Sequence, residues 1–168
     1  MLKKIALLVV LFALPLGAMA QKFAHMNSQE VIVVMPEYTK AQADLEAMSK
    51  KYSQEMERTQ SEFNKKVQEF QQQADSLPRN IAERRQKELQ ELQEKGMQFQ
   101  QDAQQQLQKS YADMMEPIYK KIEDAIKAVG QEGGYTYIFD LNRTEIPYVN
   151  GAPSTDVTTA VKAKVGIK

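Results

Sequence analysis

The sequence predicts an α+β protein, mainly α, in which a long antiparallel helical hairpin, a coiled-coil arm, stands on a small strand-rich body. Three observations predict it. Between Tyr38 and Val129 there is one glycine, Gly96, and two prolines, Pro78 and Pro117, whereas seven glycines and prolines follow from Gly130 onward. Within that middle stretch apolar residues return every three or four positions, the period of one helical face. The flanking segments carry short runs rich in β-branched and aromatic residues, which suit strands.

The first twenty residues have the three parts of a cleavable secretory signal. Lys3 and Lys4 precede an apolar run from Ile5 to Leu16, and Ala18-Met19-Ala20 supplies the small residues of a cleavage site. The run is shorter than the ~20 residues a membrane span needs. Removing residues 1–20 leaves 148 residues with 20 basic against 22 acidic side chains. Lys22 to Asn27 then reads as a strand, and Ser28 caps a short helix through Val34 that ends before Pro36.

Tyr38, Ala41, Leu45, Met48, Tyr52, Met56, Thr59, Phe63, Val67, Phe70, Ala74 and Leu77 form one narrow stripe close to a heptad repeat. The 3–4–4 spacing from Leu45 to Met56 resembles a hendecad. Asp75-Ser-Leu-Pro-Arg-Asn80 breaks the stripe and marks a tip near residues 75–80, with Asp75 or Ser76 as cap and Pro78 in the first turn of the next helix. A second stripe runs from Leu89 through Leu92, Gly96, Phe99, Ala103 and Leu107 to Val129. Arms of ~38 residues extend ~57 Å. Pro117 is expected to kink the returning helix, and Gly130-Gln-Glu-Gly-Gly134 to stop it. Tyr135–Leu141 reads as a strand, Ile146–Val149 as a second, edge-like strand turned by Asn150-Gly151, and Ser154–Thr159 as a set of caps for a last helix through Lys164.

The chain thus divides into a signal at 1–20, a β-rich body from 21–37 and 130–168, and an arm at 38–129. A three-stranded sheet does not bury both of its faces alone, and the arm has a stripe but no core. Oligomerisation through the body is therefore expected.

Composition narrows the function. Charges balance at 22 Lys+Arg and 22 Asp+Glu, which argues against nucleic-acid binding. The absence of Cys removes thiolate chemistry and sulfur-ligated zinc, and a single histidine, His25, makes a multi-histidine metal site impossible within one chain. Sixteen of the 22 carboxylates lie between Tyr38 and Val129, interleaved with Lys and Arg as a solvated face. No catalytic residue, cofactor site or phosphate loop is expected. Surface features remain. Met97 and Met115 fall off the stripe, and with Phe70 and Phe99 they are candidates for contacting varied apolar partners, since methionine adapts its shape. Arg79, Arg84, Arg85 and Lys87 give the tip a basic bias suited to anionic headgroups or acidic segments.

The order of elements, with Phe23-Ala-His-Met-Asn27, Pro36-Glu-Tyr-Thr-Lys-Ala-Gln42, Tyr137-Ile-Phe-Asp140 and Asp156-Val-Thr158, resembles the Skp/OmpH family of periplasmic chaperones over nearly all of residues 22–165. The resemblance implies a homotrimer whose strands form a small β-barrel, with three hairpins around a cavity that holds unfolded outer-membrane proteins without ATP. It also implies contact with lipopolysaccharide or an anionic membrane surface. A structural coiled-coil scaffold without clients is the alternative reading, and a peripheral lipid-binding protein a third.

Overall fold

The computed structural model describes residues 21–167; the expected signal segment lies outside them. The chain forms β1 (Phe23–Met26), α1 (Ser28–Ile32), α2 (Pro36–Gln73), a 3-10 turn (Ala74–Ser76), α3 (Arg79–Gly133), β2 (Tyr137–Asp140), β3 (Ser154–Asp156) and α4 (Thr158–Lys164). Two long helices and a small three-stranded sheet are therefore present, as the glycine and proline distribution requires.

Helices α2 and α3 pack side by side as the hairpin. The first arm has the expected 38 residues. The second has 55, because its last turns run on into the body. It also runs unbroken through Pro117, which lacks the N–H that would have bonded to the Asp113 carbonyl. Its end lies in the expected glycine cluster. Gly134 takes the left-handed conformation (φ 62°), and the Tyr135 N–H reaches back to the Gly130 carbonyl at 3.0 Å.

The sheet has the order β2-β1-β3, and both outer strands run parallel to β1. This topology corrects the expected edge strand at Ile146–Val149. A chain leaving β2 must return to the other end of the sheet and cross β1 before it can pair in parallel, and residues 141–153 make that crossing. Pro147 within them offers no N–H to a ladder. Ser154–Asp156, expected only to cap the last helix, forms the third strand instead.

The expected caps shift as well. Asn27 rather than Ser28 caps α1, its side chain accepting from the Gln29 N–H at 3.0 Å. The α1 helix stops at Ile32, before Val34. At the tip Pro78 occupies the cap position of α3 without a side-chain hydrogen bond, and the Ser76 hydroxyl donates backward to the Gln73 carbonyl at 2.9 Å.

The core sits at the root of the hairpin. Ala24 and Met26 from one sheet face, Val31, Ile32 and Met35, the α3 residues Met115, Ile118, Ile122, Ala125 and Val129, and Val157, Val161 and Val165 bury one another. Met26, Met35, Val31 and Val161 are fully enclosed, each stabilising the fold by roughly 1.5–3 kcal/mol. Beyond Ala41 and Ser110, Ala103 is the one buried residue among those described in the arms, so their stripes stay half-exposed.

Candidate functional site

Alternation along β1 sends Ala24 and Met26 to the helices and Phe23 and His25 to the opposite face. Register places Tyr137 and Phe139 of β2 beside them on one flank and Ser154 and Asp156 of β3 on the other. The Phe23 and Tyr137 rings stack at 6.3 Å, and Tyr137 and Phe139 lie 6.0 Å apart. Tyr137 is 59% exposed and Phe139 39%. Parallel sheets are ordinarily covered on both faces. This one carries helices on one face and an open aromatic cluster on the other.

His25 Nδ1 lies 2.8 Å from the Ser154 hydroxyl on that open face. The Asp156 carboxylate is engaged by Thr158, whose N–H donates to it at 2.8 Å. Hydrogen bonding from the Thr158 hydroxyl, and secondarily from that N–H, holds the Asp156 carboxyl below the usual carboxylate range. This arrangement docks α4 onto the sheet, because the Thr158 hydroxyl also accepts from the Asn27 N–H at 3.1 Å.

Grooves open along the hairpin at its root, near its tip and midway. At the root, Ala41, Met114, Pro117 and Ile118 are ringed by Glu37, Lys40, Asp44 and Lys121. The Glu37–Lys121 ion pair there ties α2 to α3, and the Lys121 hydrogen bond lowers the Glu37 carboxyl from its ordinary value. Near the tip, Phe70 and Leu89 lie among Lys66, Glu69, Arg84, Arg85 and Glu88. Midway, a groove of about 300 Å³ is lined by Met56, Phe63, Leu92, Met97 and Phe99. Thr59, Gln60, Gln93, Gly96 and Gln100 complete it, without a charged side chain. Gly96 sits in its floor, where a glycine costs an exposed helix about 1 kcal/mol relative to alanine.

The residues singled out from sequence separate into distinct environments. Met97, 53% exposed, stands at the rim of the middle groove. Phe99 is half-buried in the same groove, edge-on to Tyr52 at 5.9 Å. Phe70 is half-buried in the tip groove. Met115, expected to contact partners because it leaves the stripe, is 3% exposed and belongs to the body core. Along the body the α3 helix also packs against β2, α1 and α4, so a position off the arm seam is still enclosed.

The tip charges are also paired. Arg79 meets Glu83 at 2.8 Å, Arg84 meets Glu88 at 3.5 Å and Lys87 meets Glu91 at 3.8 Å, each one turn onward, while Arg85 donates to the Gln73 side chain. The basic bias of Arg79, Arg84, Arg85 and Lys87 is thus offset by Glu83, Glu88 and Glu91 of the same helix. Sequence reasoning also missed the open aromatic face. The signal for it was aromatic residues at alternate positions, Tyr137 and Phe139, on a strand expected to have one buried face. Among the described residues no group of His, Asp and Glu is placed to hold a metal ion, and no helix is long and apolar enough to cross a membrane.

Comparison with known proteins extends this picture. The pattern of the family described as Outer membrane protein (OmpH-like) matches residues 22–165. The chaperone protein Skp of Yersinia enterocolitica is 24% identical over 146 residues, which cover 87% of either chain. The solved structure of an OmpH-like outer membrane chaperone from Caulobacter crescentus superimposes with a TM-score of 0.74 at 15% identity, over 86% of this chain and 83% of that one. That last likeness is one of fold.

Proposed function

This chain belongs to the OmpH-like family, and from that premise we propose that it is an ATP-independent periplasmic holdase, a homotrimer that shelters unfolded outer-membrane proteins between its helical arms. One observation carries the reading: a long hairpin with half-exposed apolar stripes and almost no core of its own stands on a body whose sheet leaves an aromatic face uncovered. The uncovered face and the two outer strands suit closure by further copies of the same chain, since such edges and faces otherwise promote uncontrolled association. Three copies joined there bring three arms around a shared space. Neutral, flexible, Met- and Gln-lined surfaces suit varied partners better than a single rigid one.

Holding a client requires only reversible apolar contact, so no nucleotide or other cofactor enters the proposal. Contact of the tip with anionic headgroups belongs to the same reading. Arg85 is the cation we assign to it, because Arg79, Arg84 and Lys87 each face a glutamate of their own helix.

The test is dilution of a urea-denatured outer-membrane β-barrel protein into buffer containing residues 21–168, without ATP. Suppression of light scattering at about one trimer per client, together with a trimeric mass by multi-angle scattering, is the expected result. A monomer that leaves aggregation unchanged overturns the proposal.

A further inference from the structure

We infer that the uncharged groove midway along the hairpin docks an extended, uncharged segment of an unfolded protein in which apolar and polar side chains alternate. This rests on the holdase reading and gives the client a location on the arm.

Charge is the first reason. The grooves at root and tip are each ringed by four or more charged side chains, whereas the middle groove is lined by none. A charged segment placed there would lose hydration without gaining a counter-charge. A neutral segment loses nothing of that kind. The glutamines set the second requirement. The terminal amides of Gln60 and Gln100 both donate and accept, so they can pair with the free N–H and C=O groups of an extended backbone whatever its sequence. A wholly apolar helix would instead bury those amides unpaired. Geometry agrees: Met56 to Phe63 spans about 10 Å of α2, the length of about three residues of extended chain. Met56 and Met97, 36% and 53% exposed, are adaptable apolar contacts for side chains of varied shape.

Gly96 supplies an independent reason. A Cβ placed on it would meet only the Thr59 methyl, at 3.9 Å, an ordinary contact. The hairpin's own packing therefore does not require a glycine, and alanine would fit while strengthening the helix. What the glycine does preserve is the open floor of the groove.

The test uses residues 21–168 carrying a photoreactive phenylalanine analogue at Gln93 or, in separate preparations, at Lys40 or Glu88. The probes are two synthetic peptides of roughly twelve residues. One alternates Val and Leu with Ser and Thr, and the other has Lys and Glu at its polar positions. The neutral peptide is expected to crosslink at Gln93 about ten-fold more than at the other two positions, and about ten-fold more than the charged peptide does at Gln93. Gly96→Leu, which fills the floor, and Met97→Lys, which puts a charge on the rim, are each expected to cut that crosslinking about ten-fold while circular dichroism stays helical. Gly96→Ala is expected to raise the thermal midpoint, and a lower midpoint would show that the hairpin needs the glycine and overturn the argument. Equal crosslinking at all three positions, equal capture of the charged peptide, indifference to Gly96→Leu and Met97→Lys, or crosslinks to a second copy in place of peptide each refute the groove. A chain that suppresses client aggregation yet shows no preference at Gln93 refutes the groove alone, whereas loss of suppression in the unsubstituted chain refutes the holdase.

Discussion

Asp156 shows how one side chain can join elements that are distant in sequence. It ends β3, accepts from the first residue of α4, and shares Thr158 with the Asn27 backbone. Its folded pKa is depressed, chiefly by the Thr158 hydroxyl. A depressed carboxyl contributes stability that is present above the unfolded value, near 4, and is lost as pH falls through the folded value. Urea unfolding is therefore expected to show stability declining below about pH 4, and Asp156→Asn to weaken the protein at neutral pH by less than about 1 kcal/mol, because water screens the exposed carboxylate, while flattening that decline. An unchanged acid slope in the variant would remove Asp156 from the account. The aspartate was visible in the sequence as a capping residue. That it also ends a strand was not, because the pairing partner of β3 lies near the other end of the chain.

At the scale of elements, the arm and the body obey different rules. The arm's helices follow from local spacing: one glycine, apolar residues every turn and a tip containing proline. All of that was legible, and α2 has the expected length. The body follows from long-range contact. Its third strand was misplaced because Ile146–Val149 has better strand composition than Ser154–Asp156, and composition does not show which segment reaches β1. This division has a dynamic consequence. Stability concentrates where apolar side chains are enclosed, and local opening concentrates where they are half-exposed. Amide exchange of α2 and α3 between residues 55 and 100 is expected to run about ten-fold faster or more than that of residues 115–129. Hydrogen exchange read by mass spectrometry checks this. Equal protection along α3 would mean that the arm carries a core not apparent in a single chain.

For the whole molecule, the open face of the sheet makes assembly and function one question. Phe23, Tyr137 and Phe139 form a ring cluster that the chain's own helices leave exposed. A charge placed there would be buried unpaired in any assembly that closes over the face. Tyr137→Glu is therefore expected to reduce the mass in solution about threefold and to abolish suppression of client aggregation, with helix content by circular dichroism unchanged. A trimer that survives the substitution places the interface elsewhere. The sequence by itself determined the helical hairpin and the glycine stop of α3, since these depend on residues a few positions apart, and the order of its segments carried the family resemblance. Only the tertiary structure decided the parallel order of the strands, the burial of Met115, the pairing of the tip cations and the uncharged groove beside Gly96. Each of these depends on which surfaces meet after the chain has doubled back, as His25 meets Ser154 across 129 positions, and no local period records that meeting.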